Sequence, residues 1–347
     1  MLSIDVLRII TSIFVVMIHT AALGFYTEDP HSSQWMAKNL YDSYAQMAVP
    51  VFFMISGASV LQKKEITISY SLKKILRFLL LWLFFYLFYR CAEVGFKNVL
   101  QDPMKLILKI MSSYSPKYHL WYLIDLSLIY FLLPFIHNNV KDRKLIHYYI
   151  ILFLTFSIIL TTISRSSFVS PVIKAYLNPY RNLQCVGYMG YFIMGWYLIT
   201  FLLDKIEKKK LLIIIFILLF IICGLFTSYL TRTISINSGK GETLWYSHLT
   251  IFMFLEAVSF YMLVLLLFGS IHKDSTHAKI ISVVSPNTLF IYLIHPFLID
   301  IFRSTYKIYP PNYNSWISIP VFTLLYWGIS LLLGIIIRKI PFINRWI

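Results

Sequence analysis

The sequence predicts an all-α fold, a polytopic membrane bundle of about ten transmembrane helices that forms one integral membrane domain over residues 1–347. Two observations lead to this prediction. Hydrophobic residues make up 59% of the chain and charged residues only 13%, with a mean hydropathy of +0.72, which leaves too little polar surface for a soluble domain. Apolar runs of about 20 residues, long enough to cross a bilayer core of about 30 Å, recur from one end of the chain to the other.

The charge distribution supports this class and orients the bundle. A formal net charge of +16 would suggest nucleic acid as the partner of a soluble protein, but here the basic residues punctuate the apolar runs, so no nucleic-acid partner is expected. The predicted spans are residues 4–25, 41–61, 78–97, 118–138, 148–164, 183–203, 211–230, 247–269, 283–303 and 316–337. Connecting segments on one side carry 17 Lys and Arg, and the longer loops on the other side carry 10. The positive-inside rule therefore predicts that both termini are cytoplasmic.

The three cysteines, Cys91, Cys185 and Cys223, lie at unrelated spacings without a CxxC or Cys/His pattern. We therefore expect neither disulfides nor a bound metal. The first apolar run has full spanning length and no cleavage-site pattern after it, so it is expected to be a retained helix rather than a signal peptide.

The first span contains one arginine and one histidine, Arg8 and His19, which are eleven positions apart. Eleven residues make close to three turns of about 3.6 residues, so both side chains share one helix face, roughly 16 Å apart along the axis. Arg8 is explained equally well by snorkelling at the cytoplasmic end. A histidine at this depth indicates a functional site, the alternative being a hydrogen bond within the bundle.

The second span contains Pro50 followed by the small residues of 56–59, which predicts a kinked and closely packed helix. A basic cluster follows it on the cytoplasmic side, consisting of Lys63, Lys64, Lys73, Lys74 and Arg77. Anionic lipid head groups are the better explanation for most of this cluster, and a polyphosphate ligand is the alternative.

The third and fourth spans contain further ionisable residues. Arg90 and Glu93 stand three apart and are expected to pair with each other. His119 and Trp121 lie at the predicted outer interface, where Trp121 either anchors the helix or lines a sugar site. Asp125 lies one turn deeper and needs a partner that the sequence does not name.

The later spans add three features. Gly187, Gly190 and Gly195 let the sixth helix pack closely. Glu256 falls in the middle of the eighth span, where a carboxylate needs a cation, a hydrogen-bond partner or a proton. His295 precedes Pro296 in the ninth span at a depth comparable to that of His19, and either catalysis or a hydrogen bond to a carbonyl near the proline explains it.

Several stretches together resemble the acyltransferase 3 family of integral membrane acyltransferases. The resemblance rests on IDVLR with the Arg8-x10-His19 spacing, PVFFMISG at 50–57, YHLWYL at 118–123 and FIYLIHPFL at 290–298, and it covers nearly the whole chain. Within the family the chain is most similar to the short form without an appended hydrolase-like domain. The resemblance implies that Arg8 and His19 are an essential pair, and His295 belongs to one of its motifs.

The resemblance also implies a function, an O-acyltransferase that moves an acyl group, acetyl being the first expectation, from cytoplasmic acyl-CoA to a hydroxyl of a cell-surface glycan or its lipid-linked precursor. In this hypothesis Arg8, with Lys73, Lys74 or Arg77, contacts the donor phosphates. His19 acts as general base or as a transient acyl carrier, with Glu256 or His295 assisting. His119, Trp121 and Asp125 are the candidate acceptor-binding residues.

Two matters stay open at this point. A glycan or lipid transporter without acyl transfer also fits ten helices with buried charges and proline-broken segments, although the two halves of the chain show no convincing repeat. The resemblance points to a multi-pass protein of the cell membrane, the cytoplasmic membrane of a bacterium. Membrane lipid and a glycan acceptor are the expected partners, and the sequence does not indicate an oligomeric state.

Overall fold

A computed structural model describes residues 2–96, 99, 108, 117–166, 169–170, 172–175, 184–203, 206–269 and 275–341. In this part of the chain there is no β-strand, and the all-α prediction is confirmed. The helices are α1 (Leu2–Ala21), α2 (Ser33–Ala45), α3 (Ala48–Val60), α4 (Ile68–Val94), α5 (Trp121–Asn139), α6 (Arg143–Arg165), α7 (Gln184–Tyr197), α8 (Lys209–Ser238), α9 (Ile251–Phe268), α10 (Thr276–Val284), α11 (Thr288–Ser304) and α12 (Ser315–Ile337).

Nine helices of the described residues are long and apolar enough to cross a membrane, with α2–α3 and α10–α11 each counted as one. The sixth predicted span, 183–203, is represented by a shorter apolar helix, Gly187–Leu202, and its predicted first residue lies outside the described part. The chain is thus a multi-pass membrane protein. The cytoplasmic placement of its termini stays a prediction.

Several helices extend beyond the apolar runs from which they were predicted. Helix α4 begins at Ile68, ten residues before the predicted span, because the Thr67 hydroxyl accepts a hydrogen bond from the amide of Tyr70 at 3.1 Å and caps it. The basic residues Lys73, Lys74 and Arg77, predicted to lie in a loop, are therefore helical. Hydropathy marks where a helix is apolar, and a capped helix continues beyond that point.

The second predicted span is interrupted between Ala45 and Ala48, before its proline, and is not kinked at Pro50 itself. Helix α2 ends at Ala45, and α3 begins at Ala48, so Pro50 occupies the first turn of α3, where its missing N–H has no helical partner to lose. The predicted close packing is confirmed: a Cβ on Gly57 would lie 1.7 Å from the carbonyl oxygen of Phe192 on α7.

The described chain divides into two compact units. The second unit consists of residues 63–146, and in it α4 packs against α5, with Phe78 edge-on to Tyr130. The expected Arg90–Glu93 ion pair is present at 2.8 Å. The first unit consists of residues 1–62 and 147–345, and in it α1 packs against α2, α3, α9, α11 and α12. Helix α1 is therefore the central helix of its unit.

Helix α1 is fixed against α11 and α12 by an apolar cluster and one hydrogen bond. Val16 packs with Ile291 and Leu298 of α11 and with Phe322 and Tyr326 of α12. The indole N–H of Trp327 on α12 donates to the Ser12 hydroxyl at 2.8 Å. These contacts hold the face of α1 that contains Arg8 and His19 against the helix that contains His295.

The thiols of Cys91 and Cys223 are free, and the side chain of Cys185 lies outside the described part of the chain.

Candidate active site

His19 and His295 meet in the first unit. Their rings stack with centroids 5.1 Å apart and planes inclined by 21°. His19 is half-buried on α1, and His295 is fully buried on α11. Two imidazoles from helices at opposite ends of the chain thus form one pair, and α1 supplies its more accessible member.

The hydrogen bond of His295 defines its tautomer. The Nδ1 atom lies 2.9 Å from the carbonyl oxygen of Ile291, one turn earlier on α11. A carbonyl only accepts hydrogen bonds, so Nδ1 carries the hydrogen and the lone pair of the neutral ring is on Nε2. This bond resembles the one offered as the alternative to catalysis, but it is made to the carbonyl of Ile291, one residue before the Tyr292 carbonyl that Pro296 leaves without its helical donor, and it leaves the other ring nitrogen basic.

Arg8 lies on the same uninterrupted helix as His19, so their spacing is the predicted one of roughly 16 Å. Its Nη1 donates to Asp5 Oδ1 at 3.0 Å, and its Nη2 donates to the Ser59 hydroxyl of α3 at 2.8 Å. The Arg8 side chain is 35% exposed. The arginine is thus oriented by two side chains and is still reachable from outside the protein.

Sequence reasoning missed Asp5, Ser59 and Ser285 as members of this site. Asp5 Oδ1 also accepts a hydrogen bond of 2.7 Å from the hydroxyl of Ser285, just before α11. The spacing of three between Asp5 and Arg8 was a usable signal. No local pattern indicates the two serines, because they come from distant segments.

Glu256 is fully buried on α9. Within the described residues neither of its carboxylate oxygens has a hydrogen-bond partner. Its electrostatic neighbours are Tyr44 on α2 and Cys223 on α8. The structure thus places it among α2, α8 and α9, and its predicted catalytic role stays a prediction.

The other predicted site residues belong to the second unit. Lys73 is exposed on α4, and Lys74 and Arg77 are half-buried, with the Lys74 ammonium 5.8 Å from the centre of the Tyr70 ring. The ring of His119 is buried and packs edge-on against Tyr89 at 5.4 Å.

The two candidate acceptor residues on α5 differ in accessibility. Trp121 is half-buried at the first residue of the helix, and Asp125 is buried one turn later.

A chain of polar side chains in the first unit was not predicted. The Tyr188 hydroxyl lies 2.7 Å from His248 Nδ1, and His248 Nε2 lies 3.2 Å from Gln46 Oε1. The Gln46 amide donates to Asp42 at 2.8 Å. Burial, with a smaller effect of the nearby Arg165, lowers the pKa of His248 to about 4. The imidazole is therefore neutral near pH 7.

Within the described residues, no group of three or more His, Cys, Asp or Glu side chains is arranged to hold a metal ion.

The comparisons with known proteins give one match. A family model described as an acyltransferase domain matches residues 1–338 of the 347-residue chain. No curated protein and no solved structure matches the chain.

Proposed function

The chain belongs to the acyltransferase 3 family, and from that premise we propose which group it transfers and to what. The family makes it a membrane acyltransferase. The proposal is that it takes an acyl group, acetyl in the first instance, from cytoplasmic acyl-CoA. The acceptor is a hydroxyl of a cell-surface glycan or of its lipid-linked precursor, and the site of action is the cytoplasmic membrane of a bacterium.

The observation that carries this proposal is the stacked pair of His19 and His295. Acyl transfer to an alcohol needs a group that removes the hydroxyl proton as the oxygen attacks the thioester carbonyl. In the proposal His19, the more accessible ring, takes this proton. The C–S bond then breaks, and the sulfur leaves with the electron pair and takes from His19 the proton that came from the hydroxyl. His295, with its basic Nε2, lies beside His19 to share or stabilise the charge.

Arg8 supports the donor part of the proposal. Its planar guanidinium presents a fixed fork of N–H donors that matches phosphate oxygens. Two of its five N–H groups bind Asp5 and Ser59, and the other three have no hydrogen-bond partner within the described residues, so the proposal assigns them to a ligand. The rise of roughly 16 Å to His19 is comparable to the reach of a pantetheine arm. Lys73, Lys74 and Arg77 are proposed as additional phosphate ligands.

The acceptor side is proposed on the chemistry of three residues, His119, Trp121 and Asp125. An aromatic ring can pack on the apolar face of a sugar, and a carboxylate or imidazole can hydrogen-bond its hydroxyls. Trp121 is the most accessible of the three.

The test is to replace His19 with Ala and to measure acyl incorporation into membrane glycan in cells with normal protein levels. We expect incorporation to fall by about 10²–10⁴-fold, the range for loss of a general base. His31→Ala, at an exposed loop residue, is the matched control and should retain wild-type incorporation. Full activity in the His19 variant would overturn the catalytic assignment.

A second measurement separates the proposal from its alternative. Purified protein in vesicles is given acyl-CoA labelled in the acyl group together with a glycan acceptor. Transfer of label to the glycan supports the acyltransferase. Movement of glycan across the vesicle membrane without consumption of acyl-CoA would identify a transporter instead.

A further inference from the structure

We infer that Asp5 is a positioning residue that orients the guanidinium of Arg8 and ties it to the start of the helix that carries His295. The inference rests on the proposed function, since it assigns Asp5 an effect on the binding of the acyl donor through Arg8. Asp5 itself need not touch the donor.

One carboxylate oxygen of Asp5 joins two segments. Oδ1 accepts hydrogen bonds from Arg8 Nη1 at 3.0 Å and from the Ser285 hydroxyl at 2.7 Å. Ser285 is buried and opens the 3-10 turn Ser285–Asn287, which leads directly into α11. Asp5 therefore connects the arginine end of α1 to the base of the His295 helix.

Ser59 on α3 also holds the guanidinium of Arg8. Arg8 Nη2 donates to Ser59 Oγ at 2.8 Å. The single hydroxyl hydrogen of Ser59 is already used, because Oγ donates to the carbonyl of Ile55 at 2.8 Å. Ser59 can therefore only accept from Arg8, and the direction of this bond is determined.

Fixing both terminal nitrogens fixes the whole plane of the guanidinium, since the group is rigid and planar. The N–H groups that do not bind Asp5 or Ser59 then point in defined directions, which favours two parallel bonds to a phosphate. Without Asp5 the side chain could rotate, and each binding event would have to order it again.

The charge of Asp5 acts against donor binding, so the charge and the orienting effect of Asp5 predict opposite changes in donor affinity. A carboxylate repels phosphate, and its removal would strengthen donor binding if charge alone mattered. We expect the opposite, because orientation of Arg8 outweighs a repulsion that the Arg8 charge itself offsets.

The experiment uses full-length protein in detergent and measures the dissociation constant for acetyl-CoA by titration calorimetry, which needs no turnover. Asp5→Asn keeps the shape and can still accept from Ser285, but it loses the charge-assisted bond to Arg8. We expect about tenfold weaker acetyl-CoA binding, the size of one lost hydrogen bond between charged groups. Asp5→Glu should recover part of the affinity.

The double variant Arg8→Ala/Asp5→Asn tests whether Asp5 acts through Arg8. If it does, Asp5→Asn has no further effect on acetyl-CoA binding once Arg8 is gone. Independent losses that add up, or binding that is unchanged or tighter in Asp5→Asn alone, would overturn the inference.

The matched control is Asp300→Asn. Asp300 also stands three residues before an arginine, with Arg303 Nη2 at 3.8 Å, but on the far end of α11. The Asp300→Asn protein should bind acetyl-CoA like the wild type and should unfold at a temperature close to that of the Asp5→Asn protein. A much lower melting temperature for Asp5→Asn, together with weaker binding, would assign Asp5 a merely structural role.

The result also separates this inference from the proposed function. If Arg8→Ala weakens acetyl-CoA binding and Asp5→Asn does not, only the inference about Asp5 fails. If wild-type protein does not bind acetyl-CoA, the proposed donor and the role of Asp5 both fail.

Discussion

The ring of His19 on α1 stacks on the ring of His295 on α11, with 5.1 Å between their centroids. The apolar contacts of Val16 with Ile291 and Leu298 hold these two helices together next to the pair. His295 also has a fixed hydrogen on Nδ1, because Ile291 O accepts from it. The two rings are thus held as a pair, so the losses of rate caused by replacing each of them should not add up.

Replacing His295 with Asn should abolish most acyl transfer. The Asn amide can still donate to Ile291 O, but the basic Nε2 is lost, so we expect a fall of about 10²–10⁴-fold in the rate. Groups that act together give non-additive losses, so the variant lacking both histidines should be no slower than His19→Ala. The rate is measured as labelled acyl transferred per unit of protein.

His277→Asn is the control, since His277 is exposed on α10. It should retain the wild-type rate. A His295→Asn protein with the same rate and the same melting temperature as wild type would contradict any role for His295.

Gly57→Ala should destabilise the protein. The added Cβ would lie 1.7 Å from the carbonyl oxygen of Phe192, a backbone atom that cannot move without shifting α7. Overpacking of this kind costs about 1–3 kcal/mol. Thermal unfolding in detergent should show a clear drop in the melting temperature.

Gly328→Ala on α12 makes the same chemical change at a helical position where nothing lies within 4 Å. It should be neutral or slightly stabilising, because alanine is the better helix former. Equal melting temperatures for the two variants would show that the α3–α7 contact is not tight.

The sequence predicted the order of the membrane helices because a spanning helix must be apolar over about 20 residues. It predicted ten spans, whereas nine helices of the described residues are long and apolar enough to cross a membrane and the sixth predicted span is a shorter apolar helix. It misplaced the ends of several. The start of α4 at Ile68 depends on the hydrogen bond that Thr67 accepts. The break between α2 and α3 depends on the backbone near Gln46. Hydropathy reports neither feature.

The site was predictable to the extent that it lies on one helix. The shared face and the spacing of Arg8 and His19 follow from helical periodicity, whereas their role as a pair was implied by the family resemblance. The contact between His19 and His295 joins the first and ninth predicted spans, so it depends on packing. The depth of His295 in its span and its place in a family motif made it a candidate, but neither indicated that the two rings touch. The polar chain from Asp42 to Tyr188 crosses three elements with no regular spacing and gave no signal.

Lys38→Met should lower stability, because it breaks a buried ion pair. The Lys38 side chain is fully buried, its ammonium binds the Glu28 carboxylate, and it donates to Ser315 Oγ at 3.1 Å. Loss of one partner of such a pair costs about 3 kcal/mol, toward the lower end of the known range because Glu28 is 27% exposed.

Lys240→Met is the comparison. Lys240 is 67% exposed and lies 3.8 Å from Glu242, so its loss should change the free energy of unfolding by less than about 1 kcal/mol. The melting temperatures in detergent measure both effects. A Lys38 variant as stable as the Lys240 variant would contradict the importance of the buried pair.

The neutral imidazole of His248 should make stability fall in mild acid. Burial, with a smaller effect of Arg165, lowers its pKa to about 4, whereas the unfolded chain has a histidine pKa near 6.5. Between these values the unfolded state binds more protons, so stability is complete above pH 6.5 and decreases as the pH falls toward 4. The loss of folding stability is smaller than about 3 kcal/mol, because His248 is only half-buried and solvent screens its charge.

His248→Gln removes this titration but retains groups that can bond to Tyr188 and Gln46. Its melting temperature, measured from pH 7 to pH 4, should therefore fall less steeply than that of the wild type. His31→Gln, at an exposed loop residue, should follow the wild-type curve. Parallel curves for wild type and His248→Gln would mean that other groups set the acid sensitivity, and that the polar chain from Asp42 to Tyr188 tolerates a charged imidazole.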